Sequence, residues 1–140
     1  MRKVICSAAL AIASIGMMCG TSDAGYYRQY YSGWSYSSYN YHYCRYYYYP
    51  TTYATTYSYH YVIYYPAQPR YYYYYNPYSQ TYWGRYDIEA KGYSLLAEKD
   101  RKGKLEDIPE SAFPKPGAMP TVQGTEDNLK MEVPPAAPKK

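Results

Sequence analysis

Tyrosine recurs at every second position through two stretches of this chain. Tyr39, Tyr41, Tyr43, Tyr47 and Tyr49 fall on one face of an extended backbone, with Arg45 taking the place between. Tyr57, Tyr59, Tyr61, Ile63 and Tyr65 fall on one face of a second. Side chains of a β-strand point alternately to its two faces, and aromatic rings suit a pleated surface, so short strands are expected in both stretches. The unbroken run Tyr71, Tyr72, Tyr73, Tyr74 and Tyr75 has no alternation and fits a strand or an extended coil equally. Pro50, Pro66, Pro69 and Pro77 interrupt the pattern. Each lacks a ladder donor, which argues against a continuous central strand. No fixed repeat length links the runs, so a solenoid or propeller is not expected.

The pattern changes after Asp87. Residues 88–101 fit one short helix with Ile88, Leu95 and Leu96 toward one side, and Gly92 inside it costs about 1 kcal/mol relative to Ala. The alternative is a short strand at residues 93–96 and a turn at Lys102 and Gly103. From Ile108 onward seven prolines fall between Pro109 and Pro138, and this tail is expected to be extended or disordered.

The N-terminus has a different texture. Arg2 and Lys3 precede a run of 15 uncharged residues, 4–18, followed by polar Thr21, Ser22 and Asp23 and by Ala24. A membrane span needs about 20 apolar residues, so this run is short for one. It fits a cleavable secretory signal, with small Ser22 and Ala24 placing the cut between Ala24 and Gly25. The chain is therefore expected to be exported, to the cell envelope or the medium, and to meet a membrane only through an uncleaved signal.

Composition bears on the fold. From Gly25 onward, Leu, Ile, Val and Phe number 11 among 116 residues, below the roughly 20 % at which chains begin to resemble disordered ones. Of the three cysteines only Cys44 remains, so no disulfide staples this part of the chain. Tyr brings a large ring, but its hydroxyl needs a partner once buried. A core made of Tyr would have to satisfy many hydroxyls together. The expected fold is thus a mostly irregular, low-complexity chain without a compact globular domain, carrying a signal helix over 1–24. It divides into a tyrosine-rich region over 25–86, a short charged segment over 87–108 and a Pro-rich disordered tail over 109–140.

The stretch 82–120 carries a series of landmarks: Tyr82-Trp83-Gly84-Arg85-Tyr86-Asp87, Gly92-Tyr93-Ser94-Leu95-Leu96, Asp100-Arg101-Lys102-Gly103, Ile108-Pro109-Glu110-Ser111-Ala112-Phe113-Pro114 and Pro116-Gly117-Ala118-Met119-Pro120. It resembles small exported proteins of unknown function from planctomycete-type bacteria, in which a signal peptide and a tyrosine-rich stretch precede such a tail. The resemblance implies a bacterial exported protein and carries over no activity and no functional residue.

Candidate chemistry is sparse. His42, Cys44 and His60 give three metal-ligand types where a closed zinc site wants four, so no metal centre is expected. Phosphate-binding loops and hydrolase motifs are missing, and the paired acids Asp87/Glu89 and Glu106/Asp107 sit in a charged segment, so neither an enzyme nor a cofactor is expected. Between Tyr26 and Tyr86 there are 26 tyrosines in 61 residues, four arginines (Arg28, Arg45, Arg70 and Arg85) and no Asp or Glu. Four cations give little pull on a nucleic acid, and none is expected as a partner. Rings and guanidinium groups attract one another and sit well at interfaces. The reading is a non-enzymatic structural or adhesive protein that self-associates, with Tyr71, Tyr72, Tyr73, Tyr74, Tyr75, Arg45 and Arg70 as candidate association residues. The alternatives are a module that binds cell-wall or extracellular polysaccharide through exposed Tyr and Trp, and a passive disordered spacer.

Overall fold

The computed structural model describes residues 27–122 and 124–139. The expected signal helix and the cut between Ala24 and Gly25 lie outside the described residues. Seven strands follow one another: β1 (Gln29–Tyr31), β2 (Ser35–Ser37), β3 (Tyr41–Tyr48), β4 (Ser58–Tyr64), β5 (Tyr71–Asn76), β6 (Thr81–Asp87) and β7 (Gly92–Leu95). They form one antiparallel sheet in the order β1-β3-β4-β5-β6-β7, with β2 beside β1 on the same side of β3. The sheet curls into a half-barrel. The expectation of an irregular chain without a compact domain is corrected: the tyrosine region and the charged segment build one sheet, and the tail packs on it.

Turn chemistry explains the meander. The β5–β6 and β6–β7 hairpins each span four residues and use the same device. Asn76 Oδ1 accepts from the N–H of Tyr78 at 2.9 Å, and Asp87 Oδ1 accepts from the N–H groups of Glu89 and Ala90 at 3.0 Å each. A short side-chain carbonyl or carboxylate opens the turn this way at low cost. Each turn then closes on a left-handed residue, Gln80 at φ 58° and Lys91 at φ 57°. Residues 88–91 are therefore turn and 92–95 strand, so the helix over 88–101 does not form. Arg70 locks the second turn from outside, its Nη2 donating to Asp87 Oδ2 at 2.9 Å. Burial pushes the Asp87 carboxyl up, but the Arg70 and backbone hydrogen bonds outweigh it and hold the group below the usual carboxylate range.

Two irregularities aim the aromatic side chains. Between β1 and β2, three residues (Ser32, Gly33, Trp34) lie opposite two of β3, and Trp34 packs near Tyr64 and Tyr72. In β6 the register with β5 shifts at Tyr74/Tyr75, and Trp83 is the extra residue. A bulge bends its strand and re-aims a side chain, and here the Trp83 ring comes to 5.3 Å from His60 and 5.8 Å from Tyr93.

One face of the sheet carries Cys44, Tyr46, Tyr48, Val62, Tyr72, Tyr74, Tyr86 and Tyr93, packed with Val122 and Met131 of the tail. The tail itself satisfies two hydroxyls and an indole N–H at this core, while the Tyr93 hydroxyl is buried without a partner among the described residues. An extended, proline-interrupted segment leaves its carbonyls without a ladder partner, and the sheet fills them. Tyr31 Oη donates to Glu132 O at 2.7 Å, Tyr72 Oη to Pro135 O at 2.9 Å and Trp34 Nε1 to Ala136 O at 2.9 Å. Tyr31 and Tyr74 share a further hydrogen bond at 2.8 Å, and Tyr46 donates to Gln29 Oε1. Met131 N donates to Pro120 O at 2.9 Å, which folds the tail back on itself. The expected disorder of this tail is corrected for the same reason: it supplies acceptors that a tyrosine core requires.

On the opposite face, three single 3-10 turns at Glu98–Asp100, Leu105–Asp107 and Glu110–Ala112 carry the chain back over β5 and β6. Leu96 and Ile108 are buried there against Tyr73 and Tyr82, with Leu105 and Phe113 beside them. Arg85 fixes this cover. Its guanidinium lies 3.8 Å from the Tyr71 ring centroid and 4.0 Å from that of Phe113, and its Nη1 donates to Glu110 Oε1 at 3.1 Å.

Candidate recognition surface

The cover over the second face does not extend along β3 and β4, and the tyrosines that alternate there face outward. Tyr41, Tyr43, Arg45 and Tyr47 on β3 stand beside Ile63, Tyr61 and Tyr59 on β4 through the register Tyr43↔Ile63, Arg45↔Tyr61 and Tyr47↔Tyr59. The rings pack on each other and are half-buried by their neighbours. Tyr30 and Tyr47 stack at 4.9 Å, Tyr59 meets Tyr61 edge-on at 5.4 Å, and Tyr49 stacks on Tyr57 at 3.8 Å. Such pairs contribute about 0.5–1.5 kcal/mol beyond burial, which stiffens this partly exposed surface.

Arg45 stands at the centre. Its guanidinium carbon is 5.4 Å from the Tyr59 ring centroid and 5.5 Å from that of Tyr61, and Nη1 donates to Tyr47 Oη at 3.3 Å. Arg28, Arg70 and Arg85 are each paired with a carboxylate: Asp127, Asp87 and Glu110. Arg45 forms no ion pair among the described residues, and its buried Nε has no hydrogen-bond partner. The Tyr59 hydroxyl and, after it, Arg45 hold the Tyr61 phenol below its ordinary value. Beside Arg45 lies a groove of about 430 Å³ lined by Tyr41, Tyr43, Arg45, Tyr61, Tyr75 and Tyr82. The surface thus combines flat rings, hydroxyls and one uncompensated cation in a fixed arrangement.

The structure separates the candidate association residues. Tyr72 and Tyr74 are core on the tail side, and Tyr73 is buried on the other face beneath Ile108 and Leu96. Tyr71 is engaged by Arg85, and Arg70 is tied to Asp87. Of the seven, Tyr75 and Arg45 reach the groove. Tyr41, Tyr43, Tyr59 and Tyr61 were not singled out as association residues, although their alternation with the core residues Cys44, Tyr46, His60 and Val62 marks them as one strand face.

His42, Cys44 and His60 lie on the tail side of the sheet. Burial pushes the Cys44 thiol up to about 12, and burial with nearby Arg101 brings His60 down to about 4. A protonated, enclosed thiol is a poor nucleophile. Among the described residues, no three His, Cys, Asp or Glu side chains group so as to hold a metal ion. No protein family, curated protein or solved structure matches the chain.

Proposed function

We propose that the chain is a non-enzymatic exported protein of the cell envelope or extracellular matrix that adheres to its surroundings through the tyrosine–arginine face of β3 and β4. The observation that carries this reading is the asymmetry of cover. The tail and the 96–113 segment roof the remainder of the sheet, while Tyr41, Tyr43, Arg45, Tyr47, Tyr59 and Tyr61 stay partly exposed. Tyr loses little side-chain entropy when it makes a contact and offers both a flat apolar face and a hydroxyl. The groups with nucleophile or base chemistry, Cys44 and His60, are enclosed on the other side.

The test is co-sedimentation of the purified chain, from Gly25 onward, with envelope and matrix material of the cells that produce it. The wild type is expected in the pellet. A variant with Tyr43→Ser, Tyr47→Ser and Tyr59→Ser, folded by circular dichroism, is expected in the supernatant. Equal sedimentation of the two would overturn the assignment of the face.

Association with a second copy is the other reading, favoured by the outer edge of the sheet. β1 and β2 pair only with β3, so their outward backbone groups have no strand partner in the described chain. Open edges of this kind template pairing with another chain. Light scattering against concentration tests it: copies that join at the edge give a mass that rises with concentration, and a constant monomer mass rejects it.

A further inference from the structure

We propose that the groove beside Arg45 binds an acidic glycan, a polysaccharide whose pyranose rings bear carboxylate or sulfate groups. The inference rests on the reading of the β3–β4 face as the contact surface and names the ligand for it.

Charge points to the sign of the ligand. Every other arginine of the tyrosine region has a carboxylate within 4 Å, whereas Arg45 has none among the described residues. The region between Tyr26 and Tyr86 contains no Asp or Glu that a small movement could bring to it. Rings hold the guanidinium at 5.4 and 5.5 Å, and these contacts fix its plane without neutralising it. Its Nε is enclosed, so an oxyanion would be met by the terminal nitrogens of the guanidinium. An incoming carboxylate or sulfate would compensate the charge and gain a charge-assisted bond there.

Shape and chemistry point to the carrier. The groove, about 430 Å³, falls within the roughly 300–1,000 Å³ typical of small-molecule sites. Tyr43 and Tyr61 line the groove with Arg45, their rings set edge-on to each other at 6.2 Å. Pyranose C–H faces pack on such rings, and ring hydroxyls exchange hydrogen bonds with phenols. A bare inorganic anion would use Arg45 alone and leave the aromatic walls unused. A neutral sugar would use the walls and leave the cation uncompensated.

The experiment is isothermal titration calorimetry on the purified chain from Gly25 onward, which contains every described residue, with three probes of distinct chemistry. A hyaluronan oligosaccharide offers carboxylate, dextran sulfate offers sulfate, and dextran offers neither. Binding to either acidic probe, weakened by salt, with dextran giving no heat, is the expected result. Hyaluronan alone identifies carboxylate as the source of the charge, and dextran sulfate alone identifies sulfate. Arg45→Gln is expected to weaken binding about tenfold, the scale of one charge-assisted pair. Arg45→Lys, which keeps the charge and loses the fork, is expected to fall between. Backbone amide shifts of Tyr43 and Tyr61 on titration locate the ligand even if a variant folds poorly. Equal binding of dextran, an unchanged affinity in Arg45→Gln, or no binding of any probe would overturn the proposal. If the calorimetry fails while the ring variant still loses envelope sedimentation, the contact-face reading stands and only the acidic ligand falls.

Discussion

The hydroxyl of Tyr72 donates to the carbonyl of Pro135 at 2.9 Å across 63 residues of chain. It joins the middle of the tyrosine run to the end of the proline tail, the two segments whose composition most suggests disorder. Each solves the other's problem. The tail has unladdered carbonyls, and the run has rings whose hydroxyls must be met if the rings are to be buried.

Removing residues 119–140 is therefore expected to unfold the sheet rather than trim a spacer. It strips Val122 and Met131 from the core, each a side chain whose full burial is worth about 1.5–3 kcal/mol, and opens Tyr31, Tyr72 and Trp34 to lost partners. Thermal unfolding of the shortened chain reads the effect. In the intact chain, the Met131 and Val122 amides, bonded to Pro120 O and Leu129 O, are expected to exchange slowly. Fast exchange at both would show that the tail is not seated.

Acid is expected to destabilise the fold well above the carboxylate range. His60 is buried, and its folded value of about 4 lies below the ordinary 6.5. Between those two values the unfolded chain takes up a proton that the folded chain refuses, so stability falls as pH drops through that window. The shift corresponds to roughly 3 kcal/mol over the whole window. Urea midpoints measured at pH 7, 5.5 and 4 should fall in that order. His60→Gln should flatten this slope; an equal slope would assign the effect elsewhere.

Alkali is expected to unfold the chain cooperatively. Burial raises the phenols of Tyr31, Tyr46, Tyr74 and Tyr93 well above 10. Their stabilisation is complete below the unfolded value near 10 and is lost as pH rises toward the folded values. The tyrosinate absorbance of these rings should appear together with loss of near-ultraviolet circular dichroism. A smooth titration of all tyrosines with the dichroism intact would reject a tyrosine core.

Gly84→Ala is expected to cost about 1–3 kcal/mol, the range for overpacking. A Cβ at this position would lie 2.5 Å from Ser94 O and 2.6 Å from a ring carbon of Tyr93. The carbonyl belongs to the β6–β7 ladder and has little room to retreat. A chemical-denaturation midpoint equal to the wild type would show that β7 can move away freely.

Much of the β3–β4 tyrosine face was legible in the sequence. The alternation of Tyr41, Tyr43, Arg45 and Tyr47, and of Tyr59, Tyr61 and Ile63, placed each group on one side of a strand. Period two follows from local backbone geometry, which is why a linear reading can find it. The helix expected over residues 88–101 was lost to Asp87, whose carboxylate opens a turn that ends on left-handed Lys91. That choice depended on Arg70 and the β5 strand being present to hold the carboxylate, a contact 17 residues away.

The sequence by itself determined that the burden of any core would fall on tyrosine, because Leu, Ile, Val and Phe are so few, and that the region would carry cations without acids. Only the tertiary structure decided whether such a core could exist. Burying a phenol costs less when an acceptor waits for its hydroxyl, and the acceptors for Tyr31 and Tyr72 lie in a tail 101 and 63 residues away. The same long-range pairing decided which rings were spent inside and which, around Arg45, stayed partly exposed.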